Sequence, residues 1–343
     1  MTQPDLIFQC ELSGLERQEL FSDENLTGAL MEMDAGVALA LPVFSAACAQ
    51  VVRQLNQTDI RTYAWLLLPP QQGYFLNVFN AKQAVARYEA FQNWSNRHNL
   101  EWNGVVLDFG PSKGELLSLS GGLPASMLVK GMTQLLTPSQ VAHSQQTYRK
   151  LVHRMHNDGY AVHTIQLPWI ADERRAGSKV LQRLLGCVNV MGDREVLRLH
   201  TSRMGARGAG FLWSYAPEAG AIAIGSTGNG HAISAGGSPL SWEQLSRDLL
   251  LARQWRKNIY LHSLEGCARQ GFIPYLKNFD WSQPIAPPDS EARKVEKSRA
   301  ALRFALWSFA HPLLVAGGVL GLYGVWRLLA HPEDSLDQDA RSA

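Results

Sequence analysis

From residue 5 to residue 285 the chain alternates short apolar runs, rich in Val, Ile, Leu and aromatic residues, with longer amphipathic stretches. The runs are LIFQCEL from Leu6, GVALALPVF from Gly36, TYAWLLLP from Thr62, NGVVLDFGP from Asn103, YAVHTIQLP from Tyr160, CVNVM from Cys187, EVLRLHTS from Glu195, AIAIGST from Ala221 and NIYLHSLEG from Asn258. Strands that are apolar throughout are covered on both faces, and their alternation with helices is the pattern of a parallel sheet wrapped by helices. Nine runs in one stretch, with no early Gly-x-Gly-x-x-Gly, favour a closed barrel with one extra strand or flap over a doubly wound sheet. The expected fold is therefore α/β, a (β/α)8 TIM-like barrel over residues 1–285.

Several intervening stretches carry helix-end signals. NAKQAVARYEAFQNWSNRHN from Asn80 and PSQVAHSQQTYRKLVHRMHNDG from Pro138 each open at a capping or proline position, and the second closes on Gly159, suited to the left-handed residue after a helix. SWEQLSRDLLLARQWRKN opens with Ser241 and Gln244 at capping-box spacing. Asp172, just before ERRAGSKVLQRLLG, is expected to cap a further helix.

The C-terminal end has a different character. Phe304 to Trp326, FALWSFAHPLLVAGGVLGLYGVW, holds no Asp, Glu, Lys or Arg, and a helix needs roughly 20 apolar residues to cross a bilayer. Residues 304–329 are expected to form a single-pass transmembrane helix, with Trp307, Tyr323 and Trp326 as interfacial aromatics and Pro312 as a kink. Gly317, Gly321 and Gly324 offer a small-residue face for a helix–helix dimer. Residues 286–303 read as a charged juxtamembrane linker and residues 330–343 as an acidic tail. Arg293, Lys294, Lys297, Arg299 and Arg303 before the span, against the mainly acidic tail after it, place the large domain in the cytoplasm by the positive-inside rule. The N-terminus, without a basic n-region or a long apolar core, agrees in lacking a cleaved signal.

Composition narrows the partners. With 18% charged residues and a formal net charge of +2, nothing electrostatic favours a nucleic acid. Cys10, Cys48, Cys187 and Cys267 are far apart and form no C-x-x-C, so buried reduced thiols are expected rather than a zinc site or a disulfide framework.

A barrel of this kind builds its site from C-terminal strand ends and the loops after them. That rule selects Asp108 and Glu265 as candidate catalytic carboxylates, since glycosidic hydrolysis uses one carboxyl as acid and another as nucleophile or base. Candidate substrate-binding residues are Gln166, Trp169, Asp193, Glu195, Trp213 and Gly228. Trp169 and Trp213, with Trp65 and Trp102, could stack on sugar rings as flat apolar platforms. Gly228 belongs to GSTGNG, Gly225 to Gly230, after the penultimate strand, where barrels often hold a phosphate on backbone N–H groups. His163, His200 and His262 lie within strands, but no His-x-His follows the first strand. They are read as satisfied interior histidines, and no metal or other cofactor is expected.

The NGVVLDFG stretch resembles the fourth barrel strand of chitinase-like glycosidases, Asp-Gly-x-Asp-x-Asp-x-Glu. Asn103 and Gly104 take the first two places, Val106 the middle Asp, Asp108 the last Asp and Gly110 the Glu. Period-two alternation puts Val106, Asp108 and Gly110 on one face of the strand, which the resemblance implies is the inward one. In that family the Glu protonates the leaving oxygen and the preceding Asp polarises the substrate's acetamido group. The resemblance therefore implies a supporting role for Asp108 and a missing acid at Gly110, with Glu265 the best substitute. The function expected is that of a membrane-anchored, glycosidase-like barrel acting on or binding a carbohydrate or glycoconjugate, lipid-linked if the anchor serves the substrate. The alternative is a catalytically inactive barrel serving as a membrane-bound scaffold or sensor.

Overall fold

The structure is a computed structural model and describes residues 3–111, 137–228 and 238–330. Eight parallel strands close into a barrel in sequence order: β1 (Asp5–Cys10), β2 (Gly36–Leu41), β3 (Thr62–Leu66), β4 (Gly104–Asp108), β5 (Val162–Gln166), β6 (Arg194–Arg198), β7 (Ala221–Gly225) and β8 (Asn258–His262). Closure is made by β1 on β8, with Asp5 opposite Asn258 and Gln9 opposite His262. The wrapping helices used below are α1 (Ala81–His98), α2 (Pro138–Asn157), α3 (Trp169–Arg175), α4 (Gly208–Tyr215), α5 (Trp242–Arg253), α6 (Leu264–Arg269), α7 (Asp289–Ala310) and α8 (Pro312–Ala330).

Strand alternation sorts the core into two bodies. Ile7, Ala38, Tyr63, Trp65, Val106, Ile165, Val196, Ala223 and Tyr260 form one cluster inside the barrel. The intervening positions, among them Phe8, Leu39, Ala64, Leu107, Leu197, Ile224 and Leu261, pack outward against the helices. Caps fix where the helices begin: Thr137 with Gln140 ahead of α2 and Ser241 with Gln244 ahead of α5 both form capping boxes, each worth about 1 kcal/mol.

Two expectations are corrected. The run CVNVM, Cys187 to Met191, is not a strand: β5 pairs directly with β6, so the closed sheet offers no edge for a ninth member. Asp172 does not cap a helix. It lies within α3, fully buried, where its carboxylate takes Arg299 Nη2 at 2.9 Å and Arg303 Nη1 at 3.5 Å.

Those arginines belong to α7, which includes most of the stretch 286–303 expected as a linker. Rather than a free tether, this stretch is helical and docked on the barrel. Arg299 stacks 3.9 Å over the Tyr215 ring and also pairs with Glu218. Gly210 of α4 makes the docking close, because a Cβ there would lie 2.4 Å from the Glu291 carbonyl carbon.

The expected continuous helix over 304–329 is broken at His311, because Pro312 has no N–H and disfavours helical backbone in the residue before it. No single helix among the described residues is long and apolar enough to cross a membrane, whereas Asp289–Ala310 and Pro312–Arg327, bent by 99°, pass that test as a pair. Phe304, Leu313, Leu314, Leu320 and Leu329 on these helices are exposed. Gly317 and Gly321 face open space. The acidic tail beyond residue 330 lies outside the described residues.

Candidate functional site

Strand β4 delivers Asp108 to the C-terminal mouth. Its second residue position in the motif is sterically dictated: a Cβ on Gly104 would stand 2.6 Å from the Ala161 carbonyl oxygen, so only glycine lets β4 approach β5. Val106 belongs to the interior cluster, and Asp108, two residues on, is fully buried on the same face. There it forms an ion pair with Arg198 at the end of β6. Burial pushes the Asp108 carboxyl up to about 6, although the Arg198 guanidinium and the Trp65 indole beside it favour the charged form.

The segment after β3 turns back over this pair. Leu76 N donates to the Asp108 carbonyl at 2.9 Å, and Gly110 N donates to the Leu76 carbonyl at 3.0 Å. This places the Phe75 ring 5.0 Å from the Arg198 guanidinium. Tyr74, its neighbour, donates its hydroxyl to Glu11 Oε1 at 3.2 Å. Glu11 follows β1, and its other oxygen lies 3.6 Å from His262 Nε2, beyond hydrogen-bonding reach.

His262, at the end of β8, meets His200 with ring centroids 5.3 Å apart and Trp65 edge-on at 6.3 Å. Burial, with the charges of Arg198 and Arg203, brings His262 down to about 3. His200 is also held well below the usual imidazole range, by burial first and then by His262 and the same two arginines. Both rings are therefore neutral at pH 7. Six buried atoms converge here without a hydrogen-bond partner of good geometry among the described residues: Trp65 Nε1, Asp108 Oδ2, Arg198 Nη1, His200 Nε2 and both ring nitrogens of His262. Each such group, left unsatisfied, costs about 1–3 kcal/mol, so their clustering marks a place built for polar contact.

The structure brings only some of the sequence-selected residues to this mouth. Asp108 is at its centre. Glu265, in the first turn of α6, is buried beside β1, with Oε1 accepting from Glu11 N at 3.3 Å and its carboxyl raised by burial. Gly228 lies in the loop after β7, packed against Gly266; Asn229 and Gly230 of the same run lie outside the described residues. Gln166 points outward from β5 and holds the Val190 carbonyl at 3.0 Å, because alternation gives the inward places to His163 and Ile165. Asp193 sits ahead of β6 at the opposite, N-terminal end, bound to Val162 N at 2.7 Å and His156 at 2.9 Å. Glu195 faces the helices and pairs with Arg174 at 2.6 Å. Trp169 packs at the start of α3, and Trp213 on α4 packs against Trp255 in the outer ring. Trp102 packs outside with Phe91 and Trp94, whereas Trp65 belongs to the interior cluster and Trp169, partly buried, packs against it.

Glu11, Tyr74, Phe75 and Arg198 were not singled out from sequence. Glu11 and Arg198 had a readable signal, since each extends its strand's inward series: Ile7, Gln9, Glu11 and Val196, Arg198, His200. The loop residues Tyr74 and Phe75 had none.

Gly110 itself is not forced by packing. A Cβ there would find Phe75 at 3.8 Å and Arg198 Nη1 at 4.0 Å, ordinary contact distances. Among the described residues no three His, Cys, Asp or Glu side chains are grouped to hold a metal ion.

No family model matches the chain, and no curated protein matches it. Among solved structures, its fold is similar to the PgaB (BpsB) glycoside hydrolase domain from Bordetella bronchiseptica, with a TM-score of 0.50 and 9% identity over 82% of this chain and 100% of that domain. In fold, it resembles a glycosidase barrel. A xylose isomerase-like TIM barrel protein from Mycobacterium smegmatis, solved with magnesium, aligns at a TM-score of 0.45 and 10% identity over 81% of this chain and 96% of that one. A xylose isomerase domain protein from Planctomyces limnophilus aligns at 0.42 and 11% over 89% and 98%. At such identity the likeness speaks to architecture alone. The barrel carries Asp108 at the end of its fourth strand and has glycine where the chitinase-like motif has its acid.

Proposed function

We propose that this chain is a membrane-tethered barrel that binds a carbohydrate or glycoconjugate at its C-terminal mouth. The observation that carries the reading is the convergence of partnerless buried polar atoms on Asp108, Arg198, His200 and His262 beside the Trp65 indole. A polyhydroxylated ligand answers both donors and acceptors, and an aromatic ring answers its apolar face. Hydrolysis by the chitinase-type route has no acid at Gly110, and Arg198 occupies the carboxylate that would assist it. Binding is therefore the better-supported activity.

The tether is read from the exposed apolar side chains of α7 and α8, which follow a basic stretch, and the same charges favour a cytoplasmic barrel. Reporter fusions at the two ends of the chain test that orientation. For the ligand, a glycan array probed with the detergent-solubilised chain comes first. Asp108→Asn and His200→Ala, each with an unchanged circular dichroism spectrum, should lose at least tenfold in affinity for the glycans found. Undiminished binding in both variants would move the ligand away from this mouth.

The second reading, an inactive scaffold, draws on Gly110 together with the open face of Gly317 and Gly321. It predicts that Gly321→Leu abolishes self-association in detergent while Asp108→Asn changes nothing.

A further inference from the structure

Helix α2 holds no Asp or Glu in its 20 residues, against Arg149, Lys150, Arg154 and three histidines. The other long helices on the barrel wall, α1, α5 and α7, all contain acids among their cations. At 3.6 residues per turn, Gln146, Arg149, Lys150, His153 and Asn157 share one arc of about 100° that runs along three turns. Val141, Tyr148, Val152 and Met155 occupy the opposite side and are buried. The stripe is therefore outermost: all five of its residues are exposed, and with Arg154 they line one shallow surface hollow.

Acids of the neighbouring elements reach only the edges of this stripe. Glu89 of α1 takes Arg154 at 2.9 Å on one side, and Asp193 takes His156 at 2.9 Å on the other. Asp158, just past the end of α2, is held by the Tyr88 hydroxyl at 2.8 Å and Gln92 at 2.7 Å. The side chains of Arg149, Lys150 and His153 make no ion pair or hydrogen bond among the described residues.

The stripe belongs to the flank from which the tail leaves. Gln145 Nε2 of α2 donates to Gln182 Oε1 at 2.6 Å, and Leu181, the preceding residue, packs with Leu306 of α7. One short helix, Val180–Leu185, thus separates α2 from the last turns of α7, where Trp307 and Phe309 are exposed. Arg293, Lys294 and Lys297 add exposed cations along α7 itself.

We propose that the outer face of α2 docks on anionic lipid headgroups of the membrane that holds the tail. The inference rests on the tether reading and adds the surface, and the lipid charge, that would orient the barrel. Arg149 and Lys150 have no protein counter-charge to give up, and each cation close to an anionic bilayer adds to an attraction that salt screens. A wall helix lying lengthwise on the headgroups sets the barrel on its side, so that the mouth faces along the membrane surface rather than away from it.

The test is flotation of the full chain with phosphatidylcholine vesicles, with and without phosphatidylglycerol, followed by acetylation of its lysines and mass spectrometry. Lys277, exposed after β8 and so across the ring of strands from β4 and α2, is the internal reference. The expected result is flotation with both vesicles and, only with phosphatidylglycerol, at least tenfold slower labelling of Lys150 relative to Lys277. High salt and Arg149→Glu should each restore the fast rate. Flotation with both vesicles but equal labelling of Lys150 in them would overturn this inference and leave the tether standing. Labelling of Lys150 that is already slow in detergent would place a second copy of the chain on this face and overturn the lipid assignment. Flotation with the anionic vesicles alone would overturn the tether; it would support this face if Arg149→Glu abolishes it and overturn it if not. No flotation with either would overturn both.

Discussion

Asp108 at the end of β4 and Arg198 at the end of β6 form a buried ion pair across the lip of the barrel, with β5 between their strands. Removing one partner of such a pair leaves a charge stranded in an apolar setting. Asp108→Leu or Arg198→Met alone is expected to cost about 3–5 kcal/mol, and the double variant less than either. Denaturant unfolding of the four proteins measures this directly, and simple additivity would mean the pair is not coupled.

The neutral histidines give the protein an acid-sensitive mouth. The folded chain keeps His262 unprotonated down to about 3, whereas unfolded it protonates near 6.5, so between those values the unfolded state holds the extra proton. Stability from this group is complete above about pH 6.5 and falls as pH drops, by roughly 1.4 kcal/mol per pH unit. His200 adds in the same direction. Asp108, raised from 3.8 to about 6, opposes them over its own window by gaining a proton on folding. Unfolding free energy measured from pH 7 to 4 should decline, and His262→Gln should flatten that decline.

Gly104 and Gly110 stand in one motif for opposite reasons. Gly104→Ala forces a Cβ to within 2.6 Å of a carbonyl oxygen and is expected to destabilise by about 1–3 kcal/mol. Gly110→Ala meets nothing closer than 3.8 Å and should be neutral or stabilising by about 0.4–1 kcal/mol. Thermal melts of the two variants decide whether glycine at 110 answers to packing or only to function.

Docking of α7 depends on a close backbone crossing as well as on charge. Gly210→Ala, which alters no ionic group, and Arg299→Met, which leaves Asp172 only Arg303 at 3.5 Å and the Tyr215 hydroxyl, are both expected to loosen α7. The readout is faster proteolytic cleavage between residues 286 and 303. Cleavage at the wild-type rate in both would show that the helix is held by something else.

The barrel was legible because burial on both faces writes continuous apolar strands, and eight of the nine runs are strands. CVNVM misled because Cys187, Val188 and Val190 are buried as an irregular segment whose carbonyl at Val190 is taken by Gln166 rather than by a sheet neighbour. In the site, Asp108 could be placed by period and position. Asp193 and Glu195 could not, since a carboxylate near a strand start looks in sequence like one near a strand end, and their actual work is to bind Val162 N and Arg174. Pairings such as Asp108 with Arg198, ninety positions apart, are set by closure of the sheet and leave no local trace.

The grip on Arg299 has a mechanical meaning. A guanidinium held by Asp172 and Glu218 and stacked on Tyr215 makes α7 a stiff spar on the barrel wall. The spar ends at Ala310, where the helix breaks and α8 sets off at 99° to it. Side chains on the barrel's flank thus fix the direction in which the chain leaves the barrel as far as Ala310.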